Sequence, residues 1–361
     1  MGEKLSAINK IYSVIKRNSD WNENYSGTIV ELAPVIADAV NSFDEIDLEE
    51  SLFHLYIDDR SNCPVEKDGE LLTIETAKEI IRSFFCEIDP NLKKKVDYIL
   101  DGNMIKESAT PMRAVTNRSG IHIYFNGSLG SLVALVHEVS HVIGFLDDNN
   151  NERANITQWG LYEVESKLTE QIFMQYISHA GLMIRTKTGN RDRISKIDRI
   201  SMLLRDYKGS LETVRRAMME LDIRNLNGKE IDDDFIDYFC KKYRINQEEA
   251  YKFIQMTLLH YYADSNSPQN YVINNGEHLS NEMKFVYARC AMVAIGKKLD
   301  QSGYEYCKEL YRKLLIKGTS ISFEKLNEMV FGQQNPTYED MAQLYVEGMK
   351  QLVIKRINQQ H

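Results

Sequence analysis

Apolar positions recur along most of this chain at helical spacing. Near the start, Leu5, Ile8, Tyr12 and Ile15 form one stripe and predict a helix. The same periodicity predicts helices at about 27–42, 74–88, 209–222, 246–262, 281–299, 303–316, 322–331 and 337–356. Two of them open on capping-box sequences, Asn246-Gln-Glu-Glu249 and Thr337-Tyr-Glu-Asp340, in which a short polar side chain accepts from the first free backbone amides. No proline falls between Pro111 and Pro268, which favours helix, because an interior proline costs about 3 kcal/mol.

Strand signals are confined to a short region. Gly120-Ile-His-Ile-Tyr-Phe125 alternates, is rich in β-branched and aromatic residues, and ends at Asn126-Gly127. The segment from Pro111 to Val115 is its expected pairing partner. The predicted fold is therefore mainly α, with a small β-sheet just before residue 128. An N-terminal helical region at 1–100 and a second domain at 101–361 are the expected divisions, with no linker composition to separate them from one continuous domain.

Composition narrows the function classes. With 43% hydrophobic residues, 13 Phe and 20 Tyr in 361 positions, the chain can bury a core, which excludes intrinsic disorder. No apolar run approaches the roughly 18–20 residues that cross a bilayer, and Met1–Ser6 lacks the apolar stretch of a secretory signal. The 44 Lys+Arg against 53 Asp+Glu give a net charge of −9, which argues against nucleic acid as a partner. The basic stretch Arg185–Arg193 is short and predicts a solvated loop. Five scattered cysteines without a CxxC pair indicate neither a disulfide framework nor a cysteine metal site, so a reducing, cytoplasmic setting is expected.

Chemistry concentrates after the strand. In Leu129-Gly-Ser-Leu-Val-Ala-Leu-Val-His137-Glu138-Val-Ser-His141, residues Leu129, Leu132, Val133, Val136, Val139 and Ile143 recur at helical spacing and predict a largely buried helix. His137 and His141 then lie one turn apart on one face, able to converge on a single ion at bonds of about 2.0–2.1 Å. Glu138 projects beside them, suited to hold a water rather than the ion. Two histidines and a glutamate within five residues of an apolar helix need a partner when buried, and a divalent cation supplies one. A third protein ligand is expected from the next helix, Trp159-Gly-Leu-Tyr-Glu163-Val-Glu165-Ser166-Lys-Leu-Thr-Glu170, where spacing alone does not choose between Glu163 and Glu165.

Tyr124 to His141, followed by Glu163, Ser166 and Glu170, resembles the zinc peptidases related to thimet oligopeptidase and oligoendopeptidase F, which are HExxH gluzincins. Those enzymes place HExGH on one helix, and on the next a glutamate, a serine three residues on and another glutamate at plus seven. The resemblance implies a multi-helix zincin-like catalytic domain and one zinc ion held by His137, His141 and Glu163. It also implies Glu138 as general base and Glu170 as a hydrogen-bond partner of a ligand histidine. Glu165 is then expected to be a solvated carboxylate. Weaker similarity over about 275–355 runs through His278, Phe285-Val-Tyr287-Ala-Arg-Cys-Ala291 and Leu310–Ser320, and implies His278 and Tyr287 as oxyanion donors, with His260 as a rival. Ser140 stands where the family has glycine, Arg289 where a second tyrosine is often found, and Thr319 where the turn carries glycine.

The function expected from these residues is zinc-dependent hydrolysis of peptide bonds in a peptide or protein substrate. Family members are much longer, so a more open cleft is expected. Two alternatives share the residues: a bacterial effector protease delivered into host cells against one narrow target, and a catalytically inactive binding protein descended from a peptidase.

Overall fold

The computed structural model describes residues 2–17, 60–147, 156–202, 229–266, 281–317 and 323–357, apart from isolated positions, with short fragments between 218 and 226. Helix α1 (Gly2–Arg17) comes first, followed by strands β1 (Val65–Lys67) and β2 (Glu70–Leu71). Helices α2 (Ile74–Ile88) and α3 (Lys93–Asp101) lead into strands β3 (Ile105–Glu107), β4 (Val115–Asn117) and β5 (Gly120–Ile123). Helices α4 (Leu129–Asp147) and α5 (Ile156–His179) precede the hairpin β6 (Met183–Arg185) and β7 (Arg191–Arg193). Helices α6 (Asp233–Tyr243), α7 (Gln247–Asn266), α8 (Asn281–Lys317), α9 (Phe323–Phe331) and α10 (Tyr338–Ile357) follow among the described residues. The fold is mainly α with small sheets, as expected. The predicted helices at 27–42 and 209–222 fall largely outside the described residues.

The chain divides into two compact units, one of residues 1–38, 152–159 and 210–287, the other of 39–151, 160–209 and 288–361. In the first, α1, α6 and α7 surround a core that includes Ile8, Tyr12, Ile236, Phe239, Ile254 and Leu258. Asn9 pairs with the backbone of Ile231 in both directions, at 2.7 and 3.0 Å, so this core is pinned by a satisfied amide. The capping boxes form reciprocally in both places. Asn246 Oδ1 accepts from the Glu249 amide at 2.9 Å while Glu249 Oε2 accepts from the Asn246 amide at 3.1 Å. Thr337 and Asp340 repeat the exchange, each bond 3.0 Å.

The second unit holds both sheets. In the three-stranded one, β5 is central, parallel to β3 and antiparallel to β4. The four-stranded sheet, ordered β2-β1-β6-β7, was not expected, because its strands are two or three residues long and carry no alternating pattern. The solvated loop predicted at Arg185–Arg193 is instead the β6–β7 hairpin, and Arg185 and Arg191 pair with the fully buried carboxylate of Glu66 on β1. α2 and α3 are joined by Arg82, which donates to Asp97 at 2.8 Å and Asp101 at 2.7 Å. Phe84 on α2 meets Phe173 on α5, ring centroids 5.1 Å apart. The helices predicted separately at 281–299 and 303–316 form one span interrupted at Gly303, whose φ of 83° lies outside the helical region.

Gly120 begins β5 with φ 121°, and a Cβ there would sit 2.1 Å from the Met104 carbonyl oxygen. Gly120→Ala is expected to destabilise the protein by more than about 1 kcal/mol, read as a lowered thermal midpoint, because both the conformation and the close approach require glycine.

Candidate metal centre

The helix that carries the motif is fixed at its start. Asn126 Oδ1 accepts from the Ser128 amide at 3.1 Å, and Ser128 Oγ accepts from the Ser131 amide at 3.2 Å, capping α4. The amide of Val65 donates to the Gly127 carbonyl at 2.9 Å and that of Leu129 to the Cys63 carbonyl at 3.1 Å, which ties the turn to β1. Leu129, Leu132, Val133, Val136, Val139 and Ile143 are all buried, as the periodicity predicted. Each contributes about 1.5–3 kcal/mol, enough together to hold an imidazole pair and a carboxylate on the same helix. On the sheet side, Thr116 of β4 donates its hydroxyl to the Glu138 carbonyl at 3.3 Å.

One turn of α4 brings the Nε2 atoms of His137 and His141 to 3.0 Å from each other. Glu163 of α5 faces both, Oε1 lying 3.6 Å from His141 Nε2 and Oε2 3.9 Å from His137 Nε2. A zinc ion with bonds of about 2.0–2.1 Å sets its tetrahedral ligands roughly 3.3 Å apart, so these spacings bracket the required value. All three residues offer ligand atoms within 4.8 Å of one another. Glu163 Oε2 is buried with no hydrogen-bond partner among the described residues, and an unbonded buried carboxylate oxygen is costly unless a cation meets it. The donor set fits a divalent ion.

His137 is oriented from behind. His137 Nδ1 lies 2.6 Å from Glu170 Oε1 on α5. With the carboxylate accepting, the ring proton sits on Nδ1 and leaves the Nε2 lone pair aimed at the site. The same Oε1 accepts from the ammonium of Lys167 at 2.7 Å, and Lys167 is itself buried. Burial opposes a charge on His137, yet the bond and charge of Glu170 prevail and raise its pKa. For His141, burial and then the charge of His137 lower the pKa to about 3. Glu138 is buried on the same helix, close enough for its charge to act on His141 in the opposite sense. Ser166 turns back to donate to the Glu163 carbonyl at 3.1 Å, within α5.

One expectation changes. Glu165 is not solvated: it is 3% exposed, because every residue of α5 from Val164 to Met174 is buried and the helix has no solvent face there. Its charge acts on Tyr311 of α8, whose buried hydroxyl is pushed up mainly by burial. Ser140, where the resembled enzymes carry glycine, is directed away from the imidazoles. Its Oγ lies 3.0 Å from Thr169 Oγ1 and 3.1 Å from Tyr311 OH, all three buried. This hydroxyl cluster joins α4, α5 and α8, so Ser140 satisfies a packing contact and leaves the ligand face open. The sequence places Lys167 on the face of Glu163 and Glu170, but its bond to Glu170 and the hydroxyl cluster were not expected. Lys167 and Glu170 three residues apart are a visible helix pair, whereas nothing near Tyr311 announces its distant partners. His278 lies outside the described residues, and so do the side chains of Tyr287, Arg289 and His260.

A cleft of about 710 Å³ lies elsewhere in this unit, lined by residues that include Glu87, Tyr176, His179 and Tyr304 and by none of the three candidate ligands. Within it, Tyr304 donates to Glu87 Oε1 at 2.9 Å. Among the described residues no helix is long and apolar enough to cross a membrane.

No model of a known protein family matches the chain, and no curated protein does. Among solved structures it is similar to a candidate peptidase from Chlamydophila abortus, at 13% identity and a TM-score of 0.53. The match covers 92% of this chain but 56% of that one, so the chain spans little more than half the length of the structure it resembles. At this identity the likeness is one of fold alone.

Proposed function

We propose that this chain is a zinc-dependent endopeptidase, related to the thimet oligopeptidase and oligoendopeptidase F enzymes. His137, His141 and Glu163 hold one zinc ion, and Glu138 is the general base. The observation that carries this is the convergence of two Nε2 atoms and a carboxylate with an unbonded buried oxygen, at spacings suited to one tetrahedral ion. Two imidazoles and one carboxylate suit zinc better than the hard, all-oxygen cations. The peptidase-type fold agrees with it.

When bound, zinc polarises a carbonyl and lowers the pKa of a coordinated water towards about 7. The chain's own residues do the rest. Glu170 holds His137 in the tautomer that presents Nε2, and Glu163 completes the ligand set. Glu138 accepts the proton of the attacking water and delivers it to the leaving amine. His278 and Tyr287 are proposed as oxyanion donors on the strength of the family resemblance. Ser140 gives no support to an inactive binding protein, since its hydroxyl is engaged with Thr169 and Tyr311.

Hydrolysis of a fluorogenic peptide library is expected, abolished by a chelator and restored by about one equivalent of zinc per chain. Cleavage that persists unchanged after the metal is stripped would contradict a metallopeptidase.

A further inference from the structure

Lys167 stands out as a buried cation beside a site that must attract a cation. Its ammonium donates at 2.7 Å to the Glu170 oxygen that also accepts from His137 at 2.6 Å, so a single carboxylate oxygen separates the lysine from a candidate ligand. Lys167 is 8% exposed and Glu170 likewise 8%, which keeps solvent from screening the lysine charge. Glu163 and Glu170 place carboxylates against the two imidazoles, the charge of Glu138 acts on His141, and the Lys167 cation sits against Glu170.

We propose that Lys167 is a counter-charge that sets the metal affinity of this site: it stabilises the metal-free protein and holds zinc more loosely than the same ligands would without it. This rests on His137, His141 and Glu163 being the metal ligands. Two effects act in the same direction. The ammonium repels a dication across the carboxylate oxygen they share through His137. It also draws on the electron density of Glu170 Oε1, which weakens the support that oxygen gives to His137 as a ligand. Without metal, the lysine adds a positive charge against the buried Glu170 carboxylate, which also pairs with His137. Removing it would also favour a proton on the histidines, but a dication gains twice as much as a proton from the same change in potential. Tighter metal binding is therefore the net result. Lys167 is a positioning and charge-setting residue, not one that touches substrate.

The test compares Lys167→Met, Lys167→Gln and Lys167→Arg with the unaltered protein. Zinc affinity is measured by competition with a chromophoric chelator, and thermal unfolding is followed without metal and with saturating zinc. The Met and Gln proteins are expected to bind zinc about tenfold tighter or more and to melt lower without metal, so that zinc raises their midpoint further than it raises that of the unaltered protein. Lys167→Arg, which keeps the charge, is expected to stay within about twofold in affinity. Should Lys167→Met not fold, Lys167→Gln carries the comparison. Equal or weaker zinc binding by the Met or Gln protein overturns the inference, as does a midpoint lowered equally with and without zinc. Failure of the unaltered protein to bind zinc overturns the ligand assignment beneath it as well.

Discussion

Glu138→Gln is expected to lower peptide hydrolysis by about 10²–10⁴-fold while leaving the zinc content unchanged. The amide has nearly the shape of the carboxylate but cannot take a proton from water, so the loss falls on proton transfer. Glu138 is buried beside His141 and does not belong to the group of candidate ligands, so its replacement should leave the ion in place. Rate constants and metal content measured on the same preparation check this. A Glu138→Gln protein with full activity would remove the general base, and a parallel loss of zinc would make Glu138 a ligand instead.

Glu163→Gln is expected to weaken zinc binding by more than about a hundredfold. Losing a hydrogen-bond partner of a ligand costs roughly ten- to hundredfold in affinity, and losing a ligand itself costs more. Glu165→Gln should keep affinity within severalfold, because that buried carboxylate, whose charge acts on Tyr311, does not belong to the group of candidate ligands. The pair separates the two glutamates that spacing left open, and competition with a chelator measures both. Zinc binding that depends on Glu165 and not on Glu163 would reverse the assignment.

Much of this site is legible in the amino-acid sequence. An i, i+4 pair of histidines on an apolar helix fixes its own geometry, and the buried Leu129, Leu132, Val133, Val136, Val139 and Ile143 follow directly from the period. The capping boxes at Asn246 and Thr337 are equally legible, because each is complete within four residues. The helix α3 is not, since its nine residues offer only Val96, Ile99 and Leu100 to the core amid three lysines. The burial of Glu165 escapes because periodicity assumes that a helix has a wet side, and α5 has none from Val164 to Met174. Ser140 reads as a defect in the motif for a related reason. Its partners, Thr169 and Tyr311, lie 29 and 171 positions away, and no local pattern connects them.

The most direct measurement is the zinc content of protein purified without added metal, stripped, reloaded and analysed by plasma emission beside Glu163→Gln. One zinc per chain in the unaltered protein, and essentially none retained by Glu163→Gln after gel filtration, is the expected result. No zinc in the unaltered protein, or one zinc per chain in both, would contradict a metal centre built from His137, His141 and Glu163.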